Sequence, residues 1–426
     1  MFEFPLIPLV HVADIRMGQS PDSTYVQEGT EQGVPFLQGN AEFGVKYPTA
    51  KYSCIQPPRI AEPGSSLISV RAPVGETNIA DQTYCIGRGL SAVSFHRYGE
   101  VLGRELLNFH AKDLDKVSQG TTFAAISGNE LKSLLIAEIP EQEAAVLETI
   151  LDTLDTQIQK TEALIAKLEQ VKEGLLHDLL TRGIDENGQL RPSPEQAPEL
   201  YKESPLGLIP IEWEVGSLGE LSTSSIIGPF GSDLVASDYR SEGVPVVFVR
   251  DVVSKTFTWK SEVYVDHQKA ASLSSHDVVA GDVLLTKMGL PPCIACTYPV
   301  DFPEGIVTAD IVRIRPDKSR ALPDWVSNYA NSEHVAAQVR GITSGVTRPK
   351  VTLSDVRSLK VAVPPLEDQR AILHRVSEAS RRVNAARASL GKLVSEKVGL
   401  MDDLLTGRVR VTPLLEQAQA QATTPA

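Results

Sequence analysis

A chain of 426 residues is too long for one hydrophobic core and should divide into two to four domains. Its composition, 42% hydrophobic and 22% charged with four cysteines, is that of an ordinary globular protein without a disulfide framework or a bilayer-length apolar run, which points to the cytoplasm and away from membranes. A net charge of −13 argues against a strongly basic stripe for nucleic acid, so any contact to a polyanion must be local or shared with a partner.

The N-terminus, Met1 to Val10, is apolar but has no basic start, carries Glu3 and is broken by Pro5 and Pro8, so it reads as neither signal peptide nor span. Residues 1–139 read as short β-rich runs separated by turn residues, such as Ser66-Leu-Ile-Ser-Val70. Arg71 follows that run directly before a Pro/Gly turn, where a cation is placed to bond a phosphate or a guanine edge, or to close an ordinary salt bridge. Gln38, Asn40, Lys51 and Arg59 are the other polar candidates of this region.

From Pro140 the periodicity changes. Apolar residues recur at Leu147, Leu151, Leu154, Ile158, Ile165, Leu168, Leu175 and Leu179, a heptad seam interrupted only by Thr161 and Lys172, which predicts a long helix over 140–183. Thr181-Arg-Gly183 marks its end. A polar, Pro-rich connector over 184–204 follows.

Residues 205–363 again read as β-rich, with Val244–Val249, Asp282–Thr286 and Ile311–Arg315 as strands. At a shift of 210 residues Gly228 repeats Gly18, and Gly243-Val-Pro245 repeats Gly33-Val-Pro35. The two regions are therefore expected to share a fold whose loops have diverged, as recognition loops do. Arg250, Lys287, Arg348 and Lys350 are the cationic candidates here; Lys287 ends a strand before Gly289, and Arg348 and Lys350 follow a Gly/Thr turn. Its counterpart, Gln119-Gly-Thr-Thr-Phe123, has no cation. Cys293 and Cys296 have zinc-ligand spacing, but Cys54 and Cys85 lie in the other region, so buried thiols are the expected reading and no metal is assigned.

A second seam, Ile372, Val376, Ala379, Val383, Ala386, Leu390, Leu393, Leu400 and Leu404, predicts a helix within 364–410, followed by a low-complexity, disordered tail over 411–426. This helix repeats the first: an ungapped shift of 225 residues lays Ser118–Ile184 on Thr343–Val409, with Pro140 on Pro365, Lys172 on Lys397, Gly174 on Gly399 and Asp178–Thr181 on Asp403–Thr406. So long a period means a duplicated domain-plus-helix unit. Such stripes suit a core helix or a homodimeric coiled coil, but residues 141–204 carry 6 basic against 14 acidic groups, and 341–426 carry 13 against 8. Opposite signs flanking matched seams favour pairing of the two helices with each other. Lys172 and Lys397 put charge on the seam, and Gly174 and Gly399 each cost ~1 kcal/mol of helix propensity relative to Ala. Repetition of that cost suggests a use, such as close helix approach or docking of another subunit.

No P-loop, Gly-rich dinucleotide turn, aminomethyltransferase Pro-Pro motif or nuclease carboxylate cluster stands out. The chain resembles the specificity (S) subunits of type I restriction-modification systems over nearly its whole length. The resemblance rests on Pro-Glu-Gln (140–142) and Pro-Leu-Glu-Asp-Gln (365–369) opening the helices, and on Lys-x-Gly-Leu-Leu (172–176) and Leu-Leu-Thr-Arg-Gly (179–183) with their second copies. Leu208-Ile-Pro-Ile-Glu-Trp213 and Ile227-Gly-Pro-Phe-Gly231 add to it. It implies an α+β protein with two β-rich target-recognition domains separated by two long helices paired as an antiparallel coiled coil, pseudo-two-fold symmetric. It further implies a non-catalytic subunit that binds double-stranded DNA with a bipartite target. Two modification subunits, which hold S-adenosylmethionine, and often two ATP-dependent restriction subunits would join it. Arg71, Lys287 and the other candidates would then serve DNA binding, and the two seams with Lys172, Gly174, Lys397 and Gly399 helix pairing and subunit docking. A restriction enzyme with an unrecognised nuclease site and a coiled-coil adaptor are the alternatives.

Overall fold

The structure, a computed structural model, describes residues 3–118, 125–343 and 349–416. It divides into two compact units, residues 1–165 with 386–426, and residues 166–385. The division falls inside both long helices, Glu141–Thr181 and Leu366–Thr406, so each unit owns part of each.

In the first unit a five-stranded sheet runs in the spatial order Val26–Glu28, Tyr52–Cys54, Val34–Leu37, Tyr84–Ile86, Ile60–Ala61. A four-stranded sheet runs Ala13–Met17, Leu90–Phe95, Ser66–Ser69, Thr77–Ile79, and Leu6–Pro8 pairs with Leu135–Ala137. The apolar run at Ser66 is continuous because both its faces are covered. Leu67 packs with Leu37, Ile86 and Leu90, whereas Ile68 packs with Val93, Leu107 and Ile136, the last two reaching it from the helix Glu100–Ser118 and the strand Leu135–Ala137.

The second unit repeats the construction. Its five-stranded sheet is Tyr239–Arg240, Tyr264–Val265, Val244–Val247, Gly305–Val307, Asp277–Val278, and its four-stranded sheet is Ser222–Ile227, Ile311–Pro316, Val283–Thr286, Ala295–Thr297. Glu214–Ser217 pairs with Lys360–Val363, and a hairpin of Tyr201–Ser204 with Gly207–Pro210 is added. In each five-stranded sheet one pairing is parallel and in the same place, Val34–Leu37 with Tyr84–Ile86 and Val244–Val247 with Gly305–Val307. Gly33 and Gly243, matched at the 210-residue shift, have φ of 90° and 126° and lie against the carbonyls of Cys54 and Val265. No side chain fits at either position.

Chemistry inside the shared frame has diverged. Asp282 and Arg315 form an ion pair at 2.8 Å within a cluster in which Arg313 and Asp282 are buried and Arg315 and Asp277 half-buried. The corresponding places in the first unit hold Ser65 and Ser94, whose hydroxyls lie 2.9 Å apart. A charge pair and a neutral hydrogen bond thus close the same strand pair.

The long helices pair antiparallel within each unit. In the first, Leu147 and Leu151 are buried with Leu404 and Leu405, and in the second Leu179 and Leu180 are buried with Ile372 and Val376. Leu154, Ile158 and Lys172 on the first helix, and Lys397 on the second, are half-buried, and Val383 is buried. Leu400 departs from the expected seam: it is 37% exposed, and Met401 packs inward instead. Beyond the helices, Gly183 and Gly407 take φ of 66° and 79°, one against Trp213 and the other against Phe4. Two ion pairs repeat the same device, an acid in the first turn of one helix held by an arginine beyond the end of the other. Glu143 takes Arg410 in the first unit, and Asp368 takes Arg191 at 3.8 Å in the second.

Two expected segments differ from their sequence reading. The connector is ordered: Ile184 is buried in the core of the second unit, Arg191 is buried, and Tyr201–Ser204 is a strand. The tail begins later than 411, because Val411 is 3% exposed and packs with Leu147 and Leu404. Residues 417–426 lie outside the described residues.

Candidate nucleic-acid interface

The parallel strand pair determines where the first unit's candidates fall. Phe36 stands opposite Tyr52, so Gln38 leaves the sheet beside Lys51. Leu37 pairs with Ile86, and the Ile86 amide bonds the Arg59 carbonyl at 3.0 Å. Lys51, Gln38 and Arg59 therefore lie at one end of the five-stranded sheet, on two adjacent rows and on the edge row beyond Tyr84–Ile86, and all three are exposed. Asn40 follows in a short 3-10 turn, Asn40–Glu42, its side-chain amide held by Glu76 at 2.7 Å. Glu76 belongs to the turn after Arg71, and the Glu76 amide bonds the Ser69 hydroxyl, so this turn lies beside the same sheet end. Arg71 is exposed and bridges to Ala125.

The corresponding end of the second unit's sheet carries a cleft of about 370 Å³. Phe248, Val249 and Arg250 line it just beyond the strand Val244–Val247, Thr308, Ala309 and Asp310 just beyond Gly305–Val307, and Pro229 and Gly231 from the motif that holds Phe230. Phe230 itself is 63% exposed and lies 5.3 Å from the Lys287 ammonium. The Lys287 amide bonds the Asp310 carbonyl at 2.8 Å, and its carbonyl accepts from Val351. Lys350 is exposed and bridges to Met288. Arg250 thus lines the cleft, Lys287 adjoins it through Asp310, and Lys350 lies one bridge further along, beside Met288. Arg348 lies outside the described residues, as does the Gln119–Phe123 turn.

Arg71 and Lys287 do not occupy one position. The isolated bridges Arg71–Ala125 and Met288–Lys350 are equivalent, so Arg71 corresponds to Met288, and Lys287 to Val70. Neighbours in extended chain point to opposite faces, which separates the two cations. Cys293 and Cys296 also diverge, Cys293 into the core with Trp325 and Cys296 into that with Tyr298. Burial pushes both thiols up to about 12, so they stay protonated.

On the helices, Lys397 meets Glu105 Oε1 at 2.7 Å and Asp155 Oδ1 at 2.6 Å, with Arg104 on the other side of the same carboxylates. Lys172 instead lines a cleft of about 300 Å³ with Leu168, Leu175, Arg375, Arg382 and Glu378, the last beyond ion-pair distance of it. Gly174 and Gly399 face open space, with nothing within 4 Å of a built Cβ. Among the described residues, neither serves a close helix approach. Sequence reasoning missed Arg104 and Glu105, whose signal was a charged doublet inside the apolar run Val101–Leu107. It also missed Asp251, a buried carboxylate beside Arg250.

No protein family model matches the chain. It is 35% identical over 170 residues to a specificity subunit ascribed to the type I restriction enzyme MjaX of Methanocaldococcus jannaschii, a match that takes in 39% of the chain and 40% of that relative. The chain thus spans less than half the length of this relative. It is 21% identical over 390 residues to the type I restriction enzyme EcoDI specificity subunit of Escherichia coli, covering 84% of the chain and 83% of the relative. Among solved structures, the type I S subunit from M. genitalium superposes with a TM-score of 0.57 at 14% identity, covering 95% and 96% of the two chains. A chain from a study of assembly and conformational transition of the type I R-M system reaches 0.60 at 16% identity, covering 95% and 98%. The resemblance read from the sequence, and the α+β fold it implied, are borne out.

Proposed function

We propose that this chain, whose relatives and fold are those of type I restriction-modification specificity subunits, selects a bipartite double-stranded DNA target for a complex whose chemistry resides on other subunits. One observation carries the reading. Two units with the same strand order and the same parallel pair each place exposed polar and cationic residues at the same end of the five-stranded sheet, while the residues there differ. A common frame with different tips is what two readers of two different sequences require. Phosphate contacts from the lysines would set register, and the fork of an arginine or the amide of Gln38 would read base edges.

Two modification subunits holding S-adenosylmethionine, and two ATP-dependent restriction subunits, are the partners this role calls for. Their surfaces would supply the phosphate contacts that a chain of net charge −13 is poor in. Purified chain should neither methylate nor cleave DNA. Binding to random-sequence duplexes should gain sequence selectivity when modification subunits are added. Magnesium-dependent cleavage or methyl transfer by the chain alone, abolished by mutating a residue within it, would overturn the reading.

A further inference from the structure

Arg250 is held by a relay that no surface salt bridge would need. Asp251 is fully buried, and its carboxylate accepts from four donors. The amides of Lys260 and Ser261 reach Oδ1 at 2.9 Å each, the amide of Phe248 reaches Oδ2 at 2.9 Å, and the Ser261 hydroxyl also donates to Oδ2. With its proton committed to Asp251, the Ser261 oxygen accepts from Arg250 Nε at 2.9 Å. The guanidinium also lies 4.5 Å over the Phe248 ring, which Tyr239 braces edge-on at 5.8 Å.

These two restraints fix different things. The hydrogen bond at Nε sets the direction of the guanidinium, and stacking on Phe248 sets its plane. Among the described residues no carboxylate lies within ion-pair distance of Arg250, and its two terminal nitrogens make no hydrogen bond there, although Asp310 lines the same cleft. The result is a charged fork with its two terminal NH₂ groups unspent at the rim of the cleft. Phosphate tolerates a swinging cation, whereas paired acceptors on a base edge reward a fork fixed in plane and direction.

We infer that Arg250 is a specificity residue that reads the O6 and N7 atoms of a guanine in one half of the target, and that Ser261 and Asp251 are its positioning residues. The inference rests on the DNA-recognition reading above and adds to it the base class and the relay.

The test uses the full chain assembled with its modification subunits and a duplex selected from a random-sequence pool. Each guanine of the selected target is replaced in turn by 7-deazaguanine, which lacks the N7 acceptor. Within the half-target that Arg250 reads, one replacement should weaken wild-type binding roughly 5- to 30-fold. Arg250→Ala and Arg250→Lys should bind the unmodified target more weakly and lose sensitivity to that one replacement while keeping sensitivity in the other half. Ser261→Ala, which keeps the buried carboxylate, should blunt the sensitivity in part.

Equal weakening of Arg250→Ala on every duplex, with a shallower salt dependence, would make the contact a phosphate and overturn the inference. So would full 7-deazaguanine sensitivity in Ser261→Ala, or no sensitive guanine at all. Absence of any selected sequence would instead overturn the DNA-recognition reading itself.

Discussion

Lys397 and Lys172 occupy the same register of the duplicated helix, yet only Lys397 meets carboxylates. At the 225-residue shift the position of Asp155 is taken by Ser380, and among the described residues no carboxylate lies within ion-pair distance of Lys172. Glu105 and Asp155 are 2% and 14% exposed, so removing Lys397 leaves two carboxylates with Arg104 as their one cation among the described residues. Lys397→Ala should therefore lower stability by about 3 kcal/mol, the order found for one partner deleted from a buried pair. Lys172→Ala should change it by less than about 0.5 kcal/mol. Thermal unfolding midpoints of the two variants check this, and equal shifts would show that the carboxylate cluster does not hold the helix. The lysines themselves were legible in sequence because they broke a seam twice. Their unequal environments were not, since Glu105 comes from a helix far away in the chain.

At the scale of elements, the segment after the second long helix is fastened rather than free. Glu143 is buried and bonded to Arg410, whose guanidinium lies 4.7 Å from the Phe4 ring. The hydrogen bond from Arg410 lowers the Glu143 pKa below its ordinary 4.5, against the desolvation that would raise it. A carboxyl with a depressed folded-state pKa stabilises above its unfolded value and loses that contribution as pH falls through the folded one. Wild type should therefore exceed Glu143→Gln in urea resistance at pH 7, and the gap should close as pH drops below about 4.5. A gap undiminished between pH 7 and pH 3 would contradict the pairing.

The long helices themselves were readable because a heptad pattern of this length has one physical interpretation. Each has 41 residues, about 60 Å at 1.5 Å per residue. If they act as a ruler, seven residues added to both helices, near Ala166 and Gly391, keep the seam in register and add about 10 Å. At ~3.4 Å per base pair the tolerated gap should then lengthen by about three base pairs, with both half-sequences unchanged. Sequencing of selected targets reads this directly, and an unaltered gap would show that the helices do not set it.

For the whole molecule, the duplication made the architecture visible before any coordinates, but unequally. The helices repeat without gaps, so residue pairs could be matched one to one. The β-rich parts repeat only at Gly18/Gly228 and at the Gly33 and Gly243 turns, because backbone constraints persist there while loops differ. Arg71 and Lys287 both end a strand in the sequence yet fall one residue apart in the shared frame, because strand register is a one-residue matter that no motif records. The sheet-end cluster of Lys51, Gln38 and Arg59 was hidden for a related reason. These residues come from three strands whose neighbour relations follow a parallel pairing that sequence order does not suggest.

An exchange of one unit tests most directly the proposal that each half of the chain reads its own half of one DNA target. Residues 1–139 should be exchanged for the equivalent segment of a relative, the hybrid assembled with modification subunits, and the methylated sites of a host genome sequenced. The hybrid should show a new target in which one half-sequence is replaced while the other half is retained. Loss or alteration of both halves together, in a hybrid that still methylates DNA, would contradict it.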